Sequence, residues 1–357
     1  MLKRLLVSLL VAVSLQGCQR PVSTDESGET IVMPKGESLV LALKKDSGDE
    51  VFRSDLGYPP LFVDEPGFLG DGKFFFPAKV EDQLALRALD ARTGKELWIR
   101  VLTSASQKSM ETGSFFLRNG LPGYIDPKTG LVDGPWKSTS GKPLTFHGKT
   151  IFSGGEKQLL ALNTEDWKEL WRVDFPRATA AATVDDGAVV AVNQDSCLLV
   201  NEKGETVWNY QSPTQLSGMT VGDGMVFLAT AQPSILALDS KTGQKVWEKT
   251  WDGGDNVWAR PYFGEGVVVL PAGEKLEAFE ASTGTPSWVY DGPGRMAALE
   301  ESSGHLFVNS TKAQTVTSLN LADGKVNWTK KLELVPVGPP CFNESNLYVN
   351  VVKTPSE

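Results

Sequence analysis

Three observations predict an all-β fold, an eight-bladed β-propeller of four-stranded antiparallel blades. A short phrase ending in an aromatic residue recurs eight times, at spacings of 46, 38, 35, 37, 39, 41 and 40 residues. The apolar runs between recurrences are short and rich in β-branched residues, and nothing beyond the N-terminal leader sustains a helical period. The remnants at the two chain ends add up to one further repeat. A period near 40 residues with strand content is the signature of propeller blades.

The phrase is clearest at Ala88–Trp98 (ALDARTGKELW) and Ala237–Trp247 (ALDSKTGQKVW). Ala278–Trp288 (AFEASTGTPSW) and Ser318–Trp328 (SLNLADGKVNW) follow the same grammar. Ala42–Phe52 (ALKKDSGDEVF) puts Phe in the Trp place, and Ala161–Trp171 (ALNTEDWKELW) has Trp167 where Gly is expected. Val200–Trp208 (VNEKGETVW) has a shorter turn, and Tyr124–Trp136 (YIDPKTGLVDGPW) is two residues longer. The aromatic anchors are therefore Phe52, Trp98, Trp136, Trp171, Trp208, Trp247, Trp288 and Trp328. In six copies a Gly stands four residues earlier, as do Gly94, Gly204, Gly243, Gly284 and Gly324.

Each part of the phrase has a physical reading. An apolar strand ends in a turn whose Asp or Asn side chain can accept backbone N–H bonds and whose Gly supplies a positive φ. A second strand then runs into the aromatic residue, completing a hairpin. Upstream lies another apolar strand after a Gly turn, as in Gly187–Asn193, Gly224–Ala229 and Gly266–Leu270. The 29 residues after Trp328 and the 16 from Glu37 to Phe52 together make one repeat. Asn346–Val352 would supply its inner strands and Ser38–Leu43 its outer ones, so the N- and C-terminal strands close one blade and hide their edges. A seven-bladed ring is the alternative, if the repeat around Trp136 is an insertion.

Residues 88–98 match, at every defined position, the pattern A-x-D-x-x-T-G-x-x-x-W. This resembles the tryptophan-docking motif of the PQQ-like, quinoprotein-type propellers, and the resemblance covers essentially the whole body of the chain. It implies that the aromatic residues and glycines named above form a structural docking motif in which a Trp packs against the Gly region of the next blade. It does not imply a bound quinone. Of the two kinds of member, quinone-dependent dehydrogenases and non-catalytic lipoproteins of the BamB family, the chain is similar to the second. Its length leaves no room for the enzymes' insertions, and it has neither a Cys-Cys pair nor a CxxCH haem site. The resemblance implies a scaffold of outer-membrane β-barrel assembly with BamA as partner, and no cofactor.

The N-terminus fits that family. Lys3 and Arg4 precede an apolar run from Leu5 to Leu15 and then Leu15-Gln16-Gly17-Cys18. This describes a secretory signal peptide, too short to span a bilayer, which takes about 20 residues. Leu-x-Gly-Cys resembles a lipobox, with Gln16 where a small residue is usual. It implies a covalent lipid on Cys18, the multi-chain anchor that stable membrane attachment needs. An ordinary signal peptide with an incidental Cys is the alternative. Gln19 stands where the inner-membrane retention signal has Asp, which leans towards the outer membrane. Residues 1–17 are thus read as signal peptide, 18–36 as a polar tether reaching roughly 60 Å when extended, and 37–357 as one propeller in the periplasm.

With 35 basic and 44 acidic residues, the chain has a net charge of −9, which argues against a nucleic-acid partner. Cys197 and Cys341 fall in different blades and are expected to be free, mostly buried thiols. His147 and His305 lie in different repeats, so no shared catalytic or metal site is expected, and no GxSxG or GxxxxGK[ST] motif occurs. Asp252-Gly-Gly-Asp255-Asn256 lacks the register of a calcium loop and reads as a solvated turn. Trp251 and Trp258 flank it outside the docking slots, either as blade packing or as an exposed anchor for a partner. Tyr58–Phe62 and Pro336–Pro340 are similar candidates. The competing function is an oxidoreductase or small-ligand sensor using the central channel, with Asn193–Ser196 and Asn309–Ser318 as inward segments.

In the full-length protein, Cys18→Ala is expected to abolish incorporation of labelled fatty acid and to release the protein from the membrane fraction. Labelling that persists in this variant would place the lipid elsewhere.

Overall fold

Apolar runs of four to eight residues joined by tight turns favour the antiparallel sheet, and every described strand is paired in one. The computed structural model describes residues 38–55, 68–70, 72–80, 83–101, 117–118, 121–122, 142–147, 149–163, 168–184, 187–251, 260–272, 275–292, 298–302 and 304–352. The leader, the tether, Tyr58–Phe62, Trp136, Trp167, Asp252–Asn256 and Trp258 lie outside them.

The first hairpin is β1 (Ser38–Lys44) and β2 (Glu50–Asp55). β3 (Phe68–Gly70), β4 (Lys73–Val80), β5 (Gln83–Asp90) and β6 (Glu96–Val101) form a four-stranded sheet in sequence order. A two-stranded ribbon follows, β7 (Leu117–Arg118) and β8 (Leu121–Pro122). Five more four-stranded sheets come next. They are β9 (Lys142–His147), β10 (Thr150–Gly154), β11 (Gln158–Asn163) and β12 (Glu169–Asp174); β13 (Ala180–Thr183), β14 (Val189–Val192), β15 (Ser196–Val200) and β16 (Thr206–Gln211); β17 (Leu216–Gly222), β18 (Met225–Thr230), β19 (Ser234–Asp239) and β20 (Lys245–Thr250); β21 (Tyr262–Gly264), β22 (Val267–Ala272), β23 (Lys275–Glu280) and β24 (Pro286–Asp291); and β25 (Ala298–Ser302), β26 (His305–Ser310), β27 (Thr315–Asn320) and β28 (Val326–Lys331). The last strands, β29 (Val335–Phe342) and β30 (Asn346–Val352), return to the first hairpin in the order β2-β1-β30-β29. Both ends of the described chain thus share one sheet, with Leu41 opposite Val349.

The fold is β-propeller-like. The first strands of successive sheets neighbour one another in the order β9, β13, β17, β21, β25, β29, β3 and β8. The core is divided into layers, each between two consecutive sheets. One joins Val190, Leu199 and Trp208 to Leu228, Leu236 and Leu238. Equivalent layers link every consecutive pair of four-stranded sheets from β9–β12 round to β3–β6. Middle strands are therefore covered on both faces, which is why Val189–Val192 and Ser196–Val200 are buried at every position rather than at alternate ones.

The outer pairings share one register pattern. In all seven four-stranded sheets a single residue of the third position stands opposite the aromatic: Ala42 faces Phe52, Ala88 Trp98, Ala161 Trp171, Leu199 Trp208, Ala237 Trp247, Ala278 Trp288 and Ser318 Trp328. A register shift follows each of these pairs. Such a bulge sharpens the local twist and aims the following turn. The pairing corrects one boundary: the repeat ending at Trp208 begins at Leu199, not Val200, so its turn is one residue shorter than the others.

The turn glycine has two separate jobs, and Gly243 and Gly224 divide them. Both have φ near +70° (68° and 71°). A Cβ on Gly224 would meet nothing within 4 Å, whereas one on Gly243 would lie 2.6 Å from Cδ2 of Trp208. Gly224→Ala should therefore cost only the left-handed backbone, about 1–2 kcal/mol. Gly243→Ala should add a clash of about 1–3 kcal/mol. Urea unfolding of the two variants checks this; equal losses would remove the close approach to Trp208 as the reason for Gly243.

Candidate functional site

The repeated phrase builds one device at six described junctions between sheets. The Asp90 carboxylate accepts hydrogen bonds from Arg92 N (3.0 Å), Thr93 N (2.8 Å) and Thr93 Oγ1 (2.8 Å). Asp239 does the same with Lys241 N, Thr242 N and Thr242 Oγ1. The Thr93 hydroxyl in the first case, and the Thr242 hydroxyl and amide in the second, hold these carboxyls below the usual Asp range. The turn so fixed hands a main-chain carbonyl and a bare glycine to the preceding sheet.

The tryptophans use both. Trp171 Nε1 donates to Glu202 O (3.1 Å), Trp208 to Ser240 O (2.9 Å), Trp247 to Ala281 O (2.8 Å), Trp288 to Leu321 O (3.0 Å) and Trp328 to Lys45 O (2.8 Å). Their rings lie against Gly204, Gly243, Gly284, Gly324 and Gly48 in turn, and Phe52 lies against Gly94. The accepting residue is itself pinned: Ser240 N donates to Gly224 O, Ala281 N to Gly266 O, Leu321 N to Gly304 O and Lys45 N to Ser345 O. These acceptors are backbone atoms, so no side-chain signal could have marked them in the sequence. Trp98 is half-buried against Phe75.

Asn193 and the Asn309 amide are used in structural hydrogen bonds, while Asn309 Oδ1 and Thr315 Oγ1 are buried without a partner among the described residues. Asn193 to Ser196 form the turn between β14 and β15, where Asn193 Oδ1 accepts from Asp195 N and Ser196 N and its amide donates to Pro176 O. Asn309 to Ser318 span the β26–β27 hairpin, the second and third strands of their sheet, and Asn309 Nδ2 donates to Gly338 O (2.9 Å). Neither segment is a first strand of its sheet. Pro336–Pro340 lies within β29, where Pro336 and Val337 pair with β30 and residues 338–340 fall in a break of the register.

His147 is exposed beside Gly187, while His305 stacks on Phe307 with Nδ1 near Ser318 Oγ (3.2 Å) and Asn327 Nδ2 (3.1 Å). They stand in different sheets. Cys197 is buried, with its thiol pKa pushed up by burial, and Cys341 is half-buried; neither forms a disulfide. Among the described residues no three His, Cys, Asp or Glu side chains gather as a metal would require, and no helix is long and apolar enough to cross a membrane.

Two surface features remain for a partner. Trp251 is half-buried with its ring stacked 6.3 Å from that of Phe279, and its indole N–H is buried without an acceptor among the described residues. The outer strands expose an aliphatic residue immediately before the docking aromatic: Val51, Leu97, Leu170, Val207 and Val246, each 38–52% exposed. The sequence reading missed this row. Its signal was the aliphatic residue immediately before five of the anchors, which alternation turns to the opposite face of the strand.

A model of the family described as outer membrane protein assembly factor BamB matches residues 86–217 and 198–336. The BamB of Yersinia pestis is 24% identical over 292 residues, 69% of this chain and 71% of that protein. The BamB of Nitrosomonas eutropha is 29% identical over 143 residues, 38% of this chain, so the matched stretch spans only 34% of that relative. Among solved structures, the computationally designed Ika8 protein shares the fold at a TM-score of 0.52 and 15% identity, over 90% of this chain and 98% of that one. The crystal structure of BamB from Moraxella catarrhalis aligns with 88% of this chain and 91% of that one, at 14% identity and a TM-score of 0.48.

The lowered carboxyls have a consequence for acid stability. A carboxyl with a depressed folded-state pKa contributes stability above its unfolded value, about 3.9 for Asp, and loses it as the pH falls through the folded value. Asp90→Asn and Asp239→Asn are expected to be less stable than the parent at neutral pH and to converge on it in strong acid. A stability gap that holds constant down to the lowest pH at which the protein stays folded would falsify the role of the charge.

Proposed function

The chain belongs to the outer membrane protein assembly factor BamB family, and from that premise we propose that it is a non-catalytic periplasmic scaffold. It is tethered by lipid on Cys18 to the outer membrane, with residues 1–17 removed and 18–36 as the tether, and binds a BamA-type component of the β-barrel assembly machinery. The observation that carries the reading is the family match, which takes in the docking motifs from Trp98 to Trp328. A scaffold also suits a fold whose repeated polar groups are used within its own turns.

The same reading takes the ring as eight-bladed and closed by the sheet β2-β1-β30-β29. Seven four-stranded sheets and the β7–β8 ribbon support it, since the ribbon falls between β6 and β9 in sequence and β8 sits beside β3. The partner would meet the outer strands. Their outer edges are unpaired among the described residues, and an unpaired edge can accept a further strand, with side-chain pockets for specificity. The exposed aliphatic row from Val51 to Val246 lies along those strands. The segment after Trp251 that carries Trp258 is a second candidate.

Affinity purification of the tagged lipoprotein from detergent-solubilised envelopes, beside Cys18→Ala and with mass spectrometry, tests this. Recovery of BamA with its companions is expected. Their absence, with expression and lipidation intact, would remove the assembly role and leave the propeller without that partner.

A further inference from the structure

Six docking positions can be compared, and one of them is chemically deficient. Five tryptophans donate an indole N–H to a carbonyl of the next sheet, three residues before the docking glycine in four cases. Phe52 occupies the same slot against Gly94 and has no N–H to give. The carbonyl it should satisfy is that of Ala91, a buried residue whose own N–H is held by Gly72 O (2.9 Å).

The missing donor comes from the other end of the chain. Tyr348 Oη donates to Ala91 O at 2.6 Å, across a sequence separation of 257 residues. Tyr348 lies on β30, opposite Ala42, which is in turn opposite Phe52. Its hydroxyl accepts from Asn343 Nδ2 (2.9 Å), and Asn343 is fixed because its Oδ1 takes Ser345 N and Asn346 N. Burial pushes the phenol pKa up, which keeps it a donor.

The equivalent position in the other sheets, two strands in from the docking aromatic, holds Phe75, Phe152, Val190, Phe227, Val269 and Phe307. Where it is Phe, the ring sits 5.7–6.1 Å from its Trp, tilted by 40–48°. Tyr348 sits 6.2 Å from Phe52, tilted by 54°. Among the described sheets, the single hydroxyl at this position stands in the one sheet whose docking slot lacks an N–H.

We propose that Phe52 and Tyr348 form one split docking residue, Phe52 supplying the ring and Tyr348 the hydrogen bond, so that the first hairpin docks fully on its neighbour only after the C-terminal strand has entered the sheet. The device is a closure latch. At the five other described docking positions both parts of the contact come from one outer strand; here they come from opposite ends of the chain. The inference rests on contacts within the protein and holds whatever partner it binds.

The test uses the full-length protein with Tyr348→Phe, Phe52→Trp and both together, read by urea unfolding and by hydrogen exchange of the Ala91–Gly94 turn. Tyr348→Phe is expected to lower the folding equilibrium constant about tenfold or more, the loss from orphaning one buried acceptor. It should speed exchange at Ala91–Gly94 but not at Ser240–Gly243. Phe52→Trp should restore most of that loss in the Tyr348→Phe background and add little to the parent, where the acceptor is already taken. If Phe52→Trp has the same effect in both backgrounds, the two side chains act independently and the latch is overturned. A double variant no more stable than Tyr348→Phe, or one that fails to fold, overturns it equally.

Discussion

The contact on which the structure depends is an aromatic ring laid over the glycine turn of the next sheet, with the indole N–H closed on a carbonyl two or three residues before that glycine. Each half requires the other. The ring can reach the backbone only where there is no Cβ, and the buried carbonyl needs the N–H because water cannot reach it. Burying such a side chain contributes roughly 3 kcal/mol and the hydrogen bond about 1 kcal/mol. That is modest at one junction and considerable when repeated. The rest of the phrase sets the geometry: a small residue opposite the aromatic, in six of the seven described sheets, makes room, the bulge beside it turns the strand, and the Asp or Asn cap holds the carbonyl in place.

Repetition of one contact gives the protein its mechanical character. Every layer of the core lies between two consecutive sheets, so each sheet is stabilised by its neighbours and little else, as in other repeat architectures. No sheet is the centre of the molecule. The first hairpin and the last strands complete a sheet together, which leaves the edges most exposed to wrong pairing engaged with each other.

The same economy limits what the surface can offer. Middle strands are covered on both faces, and Asn193, which looked available in the sequence, is committed to its turn. What remains outside is the row of outer strands, where Glu50–Arg53, Glu169–Arg172 and Lys245–Glu248 pair along exposed strands beside the exposed aliphatic residues. Charged pairs on an edge discourage indiscriminate strand addition, while the aliphatic side chains beside them are suited to a partner of matching shape.

How much was legible follows from the range of each interaction. The strands, the turns, the repeat and the aromatic anchors rest on local signals of a dozen residues or fewer: alternation, Asp-x-x-Thr-Gly, and an apolar run before each aromatic. Those could be read from Ala88–Trp98 alone and then found seven times more. The sequence by itself therefore determined an all-β repeat fold with a docking aromatic and the family to which the chain belongs. Only the tertiary structure decided which glycines are crowded and which merely turn, that Leu199 rather than Val200 opens its repeat, and that the tyrosine at position 348 serves the phenylalanine at position 52. These depend on atoms that meet across sheets, and on main-chain carbonyls that every residue carries alike, so no residue type announces them along the chain.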